Sequence, residues 1–102
     1  MPTLIVLFNL KPTAKAADYE SWAKAKDIPL VTSLQSVSKF EVLKTNGVLG
    51  SDAAAPYQYC EIIEVPNMEA FFADLSAEAV QAGAKQFGEF ADNPQFMVCN
   101  KL

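Results

Sequence analysis

The chain has 102 residues, a formal net charge of −4, a 51% hydrophobic and 20% charged composition, and no histidine. That acidic balance argues against nucleic acid and anionic membrane surfaces as partners. The missing histidine removes Ser–His and Cys–His nucleophile pairs and His-ligated zinc, and arginine, absent too, leaves no bidentate clamp on phosphate.

Thr3 to Leu10 is a continuous apolar run and reads as a strand. It has no basic flank or cleavage site, so it is not read as a signal peptide. No segment approaches the ~20 apolar residues of a membrane span, and a cytoplasmic location is expected. Pro12 and Thr13 stop the strand, and a helix is predicted from about Ala16 to Lys26. Its apolar stripe is Ala16, Tyr19, Trp22 and Ala23, and Pro29 is expected to end it. Val37 to Lys44 is the second strand, closed by the turn signal Thr45-Asn46-Gly47. A loop from Thr45 to Pro56 follows, carrying Val48 and Leu49. Loops of this length are usually functional or mobile, so it is read as a substrate lid or as an arm on a partner subunit.

Tyr57 to Val65 is the third strand and contains Cys60. Pro66-Asn67 breaks it, with Asn67 as N-cap of a short helix holding Met68, Phe71, Phe72 and Leu75. Ser76 is the expected cap of the next helix, which carries Val80, Ala84 and Phe87 on one stripe. Ala91-Asp92-Asn93-Pro94 terminates it, and Gln95 to Lys101, with Cys99, forms the last strand. Two cysteines in such a chain are read as reduced core thiols. The order is β-α-β-β-α-β over one domain, residues 1–102. This is the α+β ferredoxin-like pattern, a four-stranded antiparallel sheet with both helices on one face.

Strand alternation splits Leu4, Val6 and Phe8 from Ile5, Leu7 and Asn9, and splits Cys60, Ile62 and Glu64 from Tyr59, Glu61 and Ile63. If the helices cover one set, the other is apolar enough that water contact is costly. Two sheets packed face to face would bury it, so a homodimer enclosing a cavity is expected. The apolar surplus in the composition points the same way.

With histidine and arginine gone, acid–base chemistry by carboxylate, phenol or lysine is the main use left for a polar strand face. Glu61 is the leading candidate: in an apolar enclosure its pKa would rise toward neutrality. The competing reading is an ion pair with Lys39 or Lys44. Tyr59 would donate its hydroxyl to a developing oxyanion, or serve as plain aromatic wall. Asn9 would orient a carbonyl or satisfy backbone groups at the strand end. Trp22 and Phe87 are ligand platforms or core. Asp27, beside Ile28-Pro29, is expected to cap a turn, the other reading being a place at the cavity mouth.

Several stretches carry a resemblance. They are Leu4-Ile5-Val6-Leu7-Phe8-Asn9-Leu10-Lys11-Pro12, Asp18-Tyr19-Glu20-x-Trp22, Gly47-Val48-Leu49-Gly50-Ser51, Pro56-Tyr57-x-Tyr59-x-Glu61 and Gln86-Phe87-x-Glu89-Phe90-Ala91-Asp92-Asn93-Pro94. Together they resemble the RedY-like (HapK-type) family of the dimeric α/β-barrel superfamily, whose genes sit among pathways for pyrrole and indole pigments. The resemblance implies paired sheets forming one barrel, with a cavity lined by their non-helix faces. It also implies cofactor-free cyclisation, isomerisation, dehydration or oxygenation of aromatic molecules.

Alignment with olivetolic acid cyclase of that superfamily puts Thr3, Ile5, Leu7, Tyr59, Glu61 and Ile63 on the cavity wall, with Trp22 reaching in. The cyclase's histidine and tyrosine fall near Asp74 and Val80, so its machinery does not carry over. Met-Pro before a strand also resembles the start of tautomerases that use an N-terminal proline, a reading weakened by the missing arginine. The expectation is a small homodimeric enzyme, needing no metal or other cofactor, that condenses, cyclises or dehydrates a hydrophobic aromatic intermediate. Glu61 and Tyr59 would be catalytic, and Ile5, Leu7, Asn9, Trp22, Ile63 and Phe87 would bind substrate. The alternatives are a non-catalytic carrier or scaffold and a cofactor-free monooxygenase.

Overall fold

A computed structural model describes residues 2–102. Strand β1 (Pro2–Leu10) is followed by α1 (Ala16–Trp22), a π-turn (Ala23–Asp27) and α2 (Ile28–Thr32). Then come β2 (Lys39–Lys44), β3 (Tyr59–Glu64), α3 (Met68–Leu75), α4 (Glu78–Phe90) and β4 (Ala91–Asn100). The strands form an antiparallel sheet in the order β2-β3-β1-β4, which is the expected α+β ferredoxin-like arrangement. The two apolar strands β1 and β3 take the centre, where both edges are paired.

Register decides the faces. Leu4 lies opposite Ile63, Val6 opposite Glu61 and Phe8 opposite Tyr59, and opposed residues share a face. Val6 and Phe8 are fully buried, as is Tyr19 of α1. Phe8 stacks on Tyr59 at 5.5 Å and meets the ring edges of Tyr19 at 5.5 Å and Phe87 at 4.9 Å. Glu61, Tyr59 and Ile63 therefore lie beneath the helices. The expectation that Ile5 and Leu7 share a wall with them is corrected: Ile5 and Leu7 pair with Ile62 and Cys60 on the opposite face.

Local differences have local causes. Pro29 does not end the first helix; it stands in the first turn of α2, where its missing N–H is not needed. The π-turn before it closes with the Ile28 N–H donating to the Ala23 carbonyl, a wider turn than the α-helical one. Asn67 caps α3 as expected, its side-chain oxygen accepting from the Ala70 N–H at 3.1 Å. Ser76 does not cap α4; its hydroxyl donates back to the Ala73 carbonyl at 2.7 Å, and Ala77 holds the cap position. β4 starts directly at Ala91 and not at Gln95, with Asn93 inside it in a left-handed conformation (φ 48°) that asparagine tolerates. The pairing with β1 shifts register there, between Leu7 and Asn9. Cys60 and Cys99 are both free thiols. They are half-buried on the sheet face away from the helices, not in the core.

Candidate functional site

The helices do not close completely on the sheet. A cavity of about 140 Å³ remains between them, floored by Glu61 and Ile63 of β3 and walled by Val31, Phe71, Val80 and Phe87. Its lining includes Leu75 and Phe96, which are partly open to solvent, so the mouth lies between α3 and β4. Asp27 also lines it. A dry cavity of roughly 150 Å³ accommodates one aromatic ring.

Two acids in this apolar enclosure set its electrostatics. Glu61 is 5% exposed and Asp27 8% exposed. The Glu61 Oε2 atom and the Tyr19 hydroxyl are buried with no hydrogen-bond partner. Burial pushes the Glu61 carboxyl up to about 8, with the neighbouring Asp27 charge adding to the rise. Burial likewise pushes Asp27 to about 6. The Tyr19 phenol is raised by burial first and then by Glu61 and Asp27. It stays a neutral hydroxyl beside the two acids.

Neither lysine weighed as a partner for Glu61 reaches it. Lys39 pairs with Glu41 at 2.8 Å and Lys44 with Glu20 at 2.8 Å. Asp27 makes no side-chain capping bond, so the turn-capping expectation is corrected in favour of a place on the cavity wall. The helix supplies the reason. Tyr19, Ala23 and Asp27 are four residues apart and all buried. A four-residue step over-rotates an α-helix by about 40°, and the wider π-turn between Ala23 and Asp27 takes that drift back. π-turns of this kind are frequent at functional sites.

The remaining expected site residues divide. Ile63 and Phe87 share the cavity with Glu61. Tyr59 is on the same strand face, but its hydroxyl donates to Glu20 Oε2 at 2.6 Å. That contact belongs to a separate, open pocket shared by Tyr19, Lys24, Val42 and Lys44. Burial and the Glu20 contact raise the Tyr59 phenol. Trp22 packs on Tyr19 and Phe90, and its indole N–H donates to Gln86 Oε1 at 2.8 Å, outside the Glu61 cavity.

Asn9 holds the end of the long loop. Its amide donates to the Pro56 carbonyl at 3.1 Å, and its oxygen accepts from the Gln58 N–H at 2.9 Å. Ile5 and Leu7 face away, as described. Asp27, weighed from the sequence as a turn cap or a place at the cavity mouth, lines the cavity; Tyr19, read from the sequence only as part of the apolar stripe of its helix, lines the neighbouring pocket.

Comparison with known proteins agrees with the fold. HapK from Hahella chejuensis is 27% identical in sequence, with a TM-score of 0.81 covering 100% of this chain and 93% of that one. A dimeric ferredoxin-like protein of unknown function from Thermobifida fusca is 13% identical, with a TM-score of 0.77 over 98% of this chain and 90% of its own. SnoaB, a cofactor-independent oxygenase from Streptomyces nogalater, is 14% identical, with a TM-score of 0.75 over 98% and 91%. At these identities the last two show a shared fold alone. No curated protein sequence matches the chain. The family described as REDY-like protein HapK matches residues 2–102, essentially the whole sequence. The chain belongs to the HapK (REDY-like) family.

Proposed function

We propose that this chain is a cofactor-independent acid–base enzyme acting on a hydrophobic aromatic intermediate, of the pyrrole or indole pigment type its family resemblance implies. It works as a homodimer in the cytoplasm. The observation that carries the reading is Glu61, whose Oε2 is buried and unpartnered on the floor of an apolar, ring-sized cavity. A carboxyl left in that position costs stability, and a ligand proton is the natural partner for it. Burial brings its pKa to about 8, where a carboxyl both gives and takes protons near neutral pH. Apolar walls orient the ring and keep water from the proton transfer. Tyr59, engaged with Glu20, holds the floor of the neighbouring pocket.

A generic proton-abstraction probe, nitrobenzisoxazole, tests this without knowledge of the natural substrate. A carboxylate removes its ring C–H proton as the N–O bond breaks, giving a nitrile and a phenolate, with no cofactor required. The rate should rise with pH through about 8, and Glu61→Gln should remove that rise, lowering the alkaline rate about a hundredfold. A Glu61→Gln protein that keeps the wild-type profile overturns the enzyme reading in favour of a carrier or scaffold. The shared fold with a cofactor-independent oxygenase supports oxygenation as the second reading, and dependence of turnover on dissolved oxygen separates the two.

A further inference from the structure

Asp27 is a buried acid with no structural task. It makes no cap and is in no ion pair among the described residues, and it lines the same cavity as Glu61. The charged and titratable groups around the two can be named element by element. Tyr19 comes from α1, and Tyr59, held by Glu20, comes from β3. Cys60, the next residue along β3, lies on the sheet face away from the helices. From α3, α4 and β4 the cavity receives only apolar residues such as Phe71, Val80, Phe87 and Phe96. Among the described residues that line the cavity the two acids therefore have each other and no cation, with the Tyr19 hydroxyl near enough for both acids to raise it.

We propose that Asp27 and Glu61 work as one carboxyl pair in this cavity, Asp27 taking a proton from the ligand while Glu61 gives one back. This rests on the acid–base reading above and assigns its second residue. Two like groups in one site separate in proton affinity, and burial already sets them apart, Asp27 at about 6 and Glu61 at about 8. At neutral pH one is carboxylate and the other carboxylic acid.

The proton balance closes. A C–H or N–H proton of the ligand passes to the Asp27 carboxylate, and the Glu61 proton passes to a ligand oxygen or carbon. If the acceptor is a hydroxyl, it leaves as water; otherwise the product is an isomer. The pair still holds one proton, which returns from Asp27 to Glu61. The reactions that fit are therefore dehydration and isomerisation of a single-ring substrate, with no oxidant or reductant.

Carbon-13 carboxyl NMR on the whole protein tests the pair without a substrate. In the wild type, the Glu61 resonance should carry a second, smaller inflection at the midpoint of Asp27, near 6. In Asp27→Asn, which preserves shape, that inflection should vanish and the Glu61 midpoint should move down. The same variant should lose nitrobenzisoxazole turnover at neutral pH while keeping the alkaline rise. A Glu61 midpoint unchanged in Asp27→Asn, an absent inflection in the wild type, or an Asp27 midpoint near the ordinary 3.8 overturns the pair. Glu61 titrating near 4.5 in the wild type overturns the acid–base reading itself, so the two failures are distinguishable.

Discussion

Glu61 titrates near 4.5 in an unfolded chain and near 8 in the folded one. Between those values the folded protein holds a proton that the unfolded chain has released. Stability attributable to this residue is therefore complete below about pH 4.5 and is lost as pH rises toward 8. Glu61→Gln, which is neutral at every pH, should make the protein more stable than wild type at pH 8 by about 4 kcal/mol. The difference should close below pH 4.5, and thermal unfolding across that range measures it. A site residue whose replacement stabilises the fold is one kept for function. Glu61 and Tyr59 were legible as candidates from strand alternation alone. Asp27 was weighed there as a turn cap or a place at the cavity mouth, and only the helix continuing past Pro29 decides for the cavity.

At the scale of elements, propensity and capping explain most of what was legible. Asn67 caps α3 as its residue type suggests. The π-turn was hidden, since a proline six residues after the end of an apolar stripe reads as a stop. Gly83 shows how closely α4 approaches the segment beyond that turn. A Cβ placed there would lie 2.8 Å from Leu30 Cδ2, the mobile end of a side chain that lines the cavity. Gly83→Ala should therefore push Leu30 into the cavity. The better helix propensity, worth roughly 0.5–1 kcal/mol, offsets the contact. We expect an unchanged or slightly raised melting temperature together with a higher KM for nitrobenzisoxazole, read by unfolding and steady-state kinetics on the same variant.

For the whole molecule, the open face of the sheet is the outstanding feature. Ile5, Leu7, Ile62, Leu43 and Met97 share it by register, and Leu43 and Met97 are 43% and 41% exposed. Among the described residues no helix covers this face, and two fold relatives are described as dimeric. A homodimer built on it, as proposed, predicts that Ile62→Lys at its centre gives a folded monomer where the wild type is a dimer. Light scattering coupled to size exclusion checks this, and a monomeric wild type at micromolar concentration would sink the homodimer.

The sequence by itself determined the element order, the alternating sets on each strand and the family. The first two follow from periodicities of two and 3.6 residues and from turn residues, which act within a few positions, and the family from the resemblance of the quoted stretches. Tertiary structure alone decided which set of β1 joins Glu61 beneath the helices. That depends on pairing Val6 with Glu61, 55 positions apart, and a slip of one residue would exchange the faces. For the same reason the cavity lies between sheet and helices, with Ile5 and Leu7 outside it. It also explains why Asp27, unremarkable in its own segment, meets Glu61 only once the chain has closed on itself.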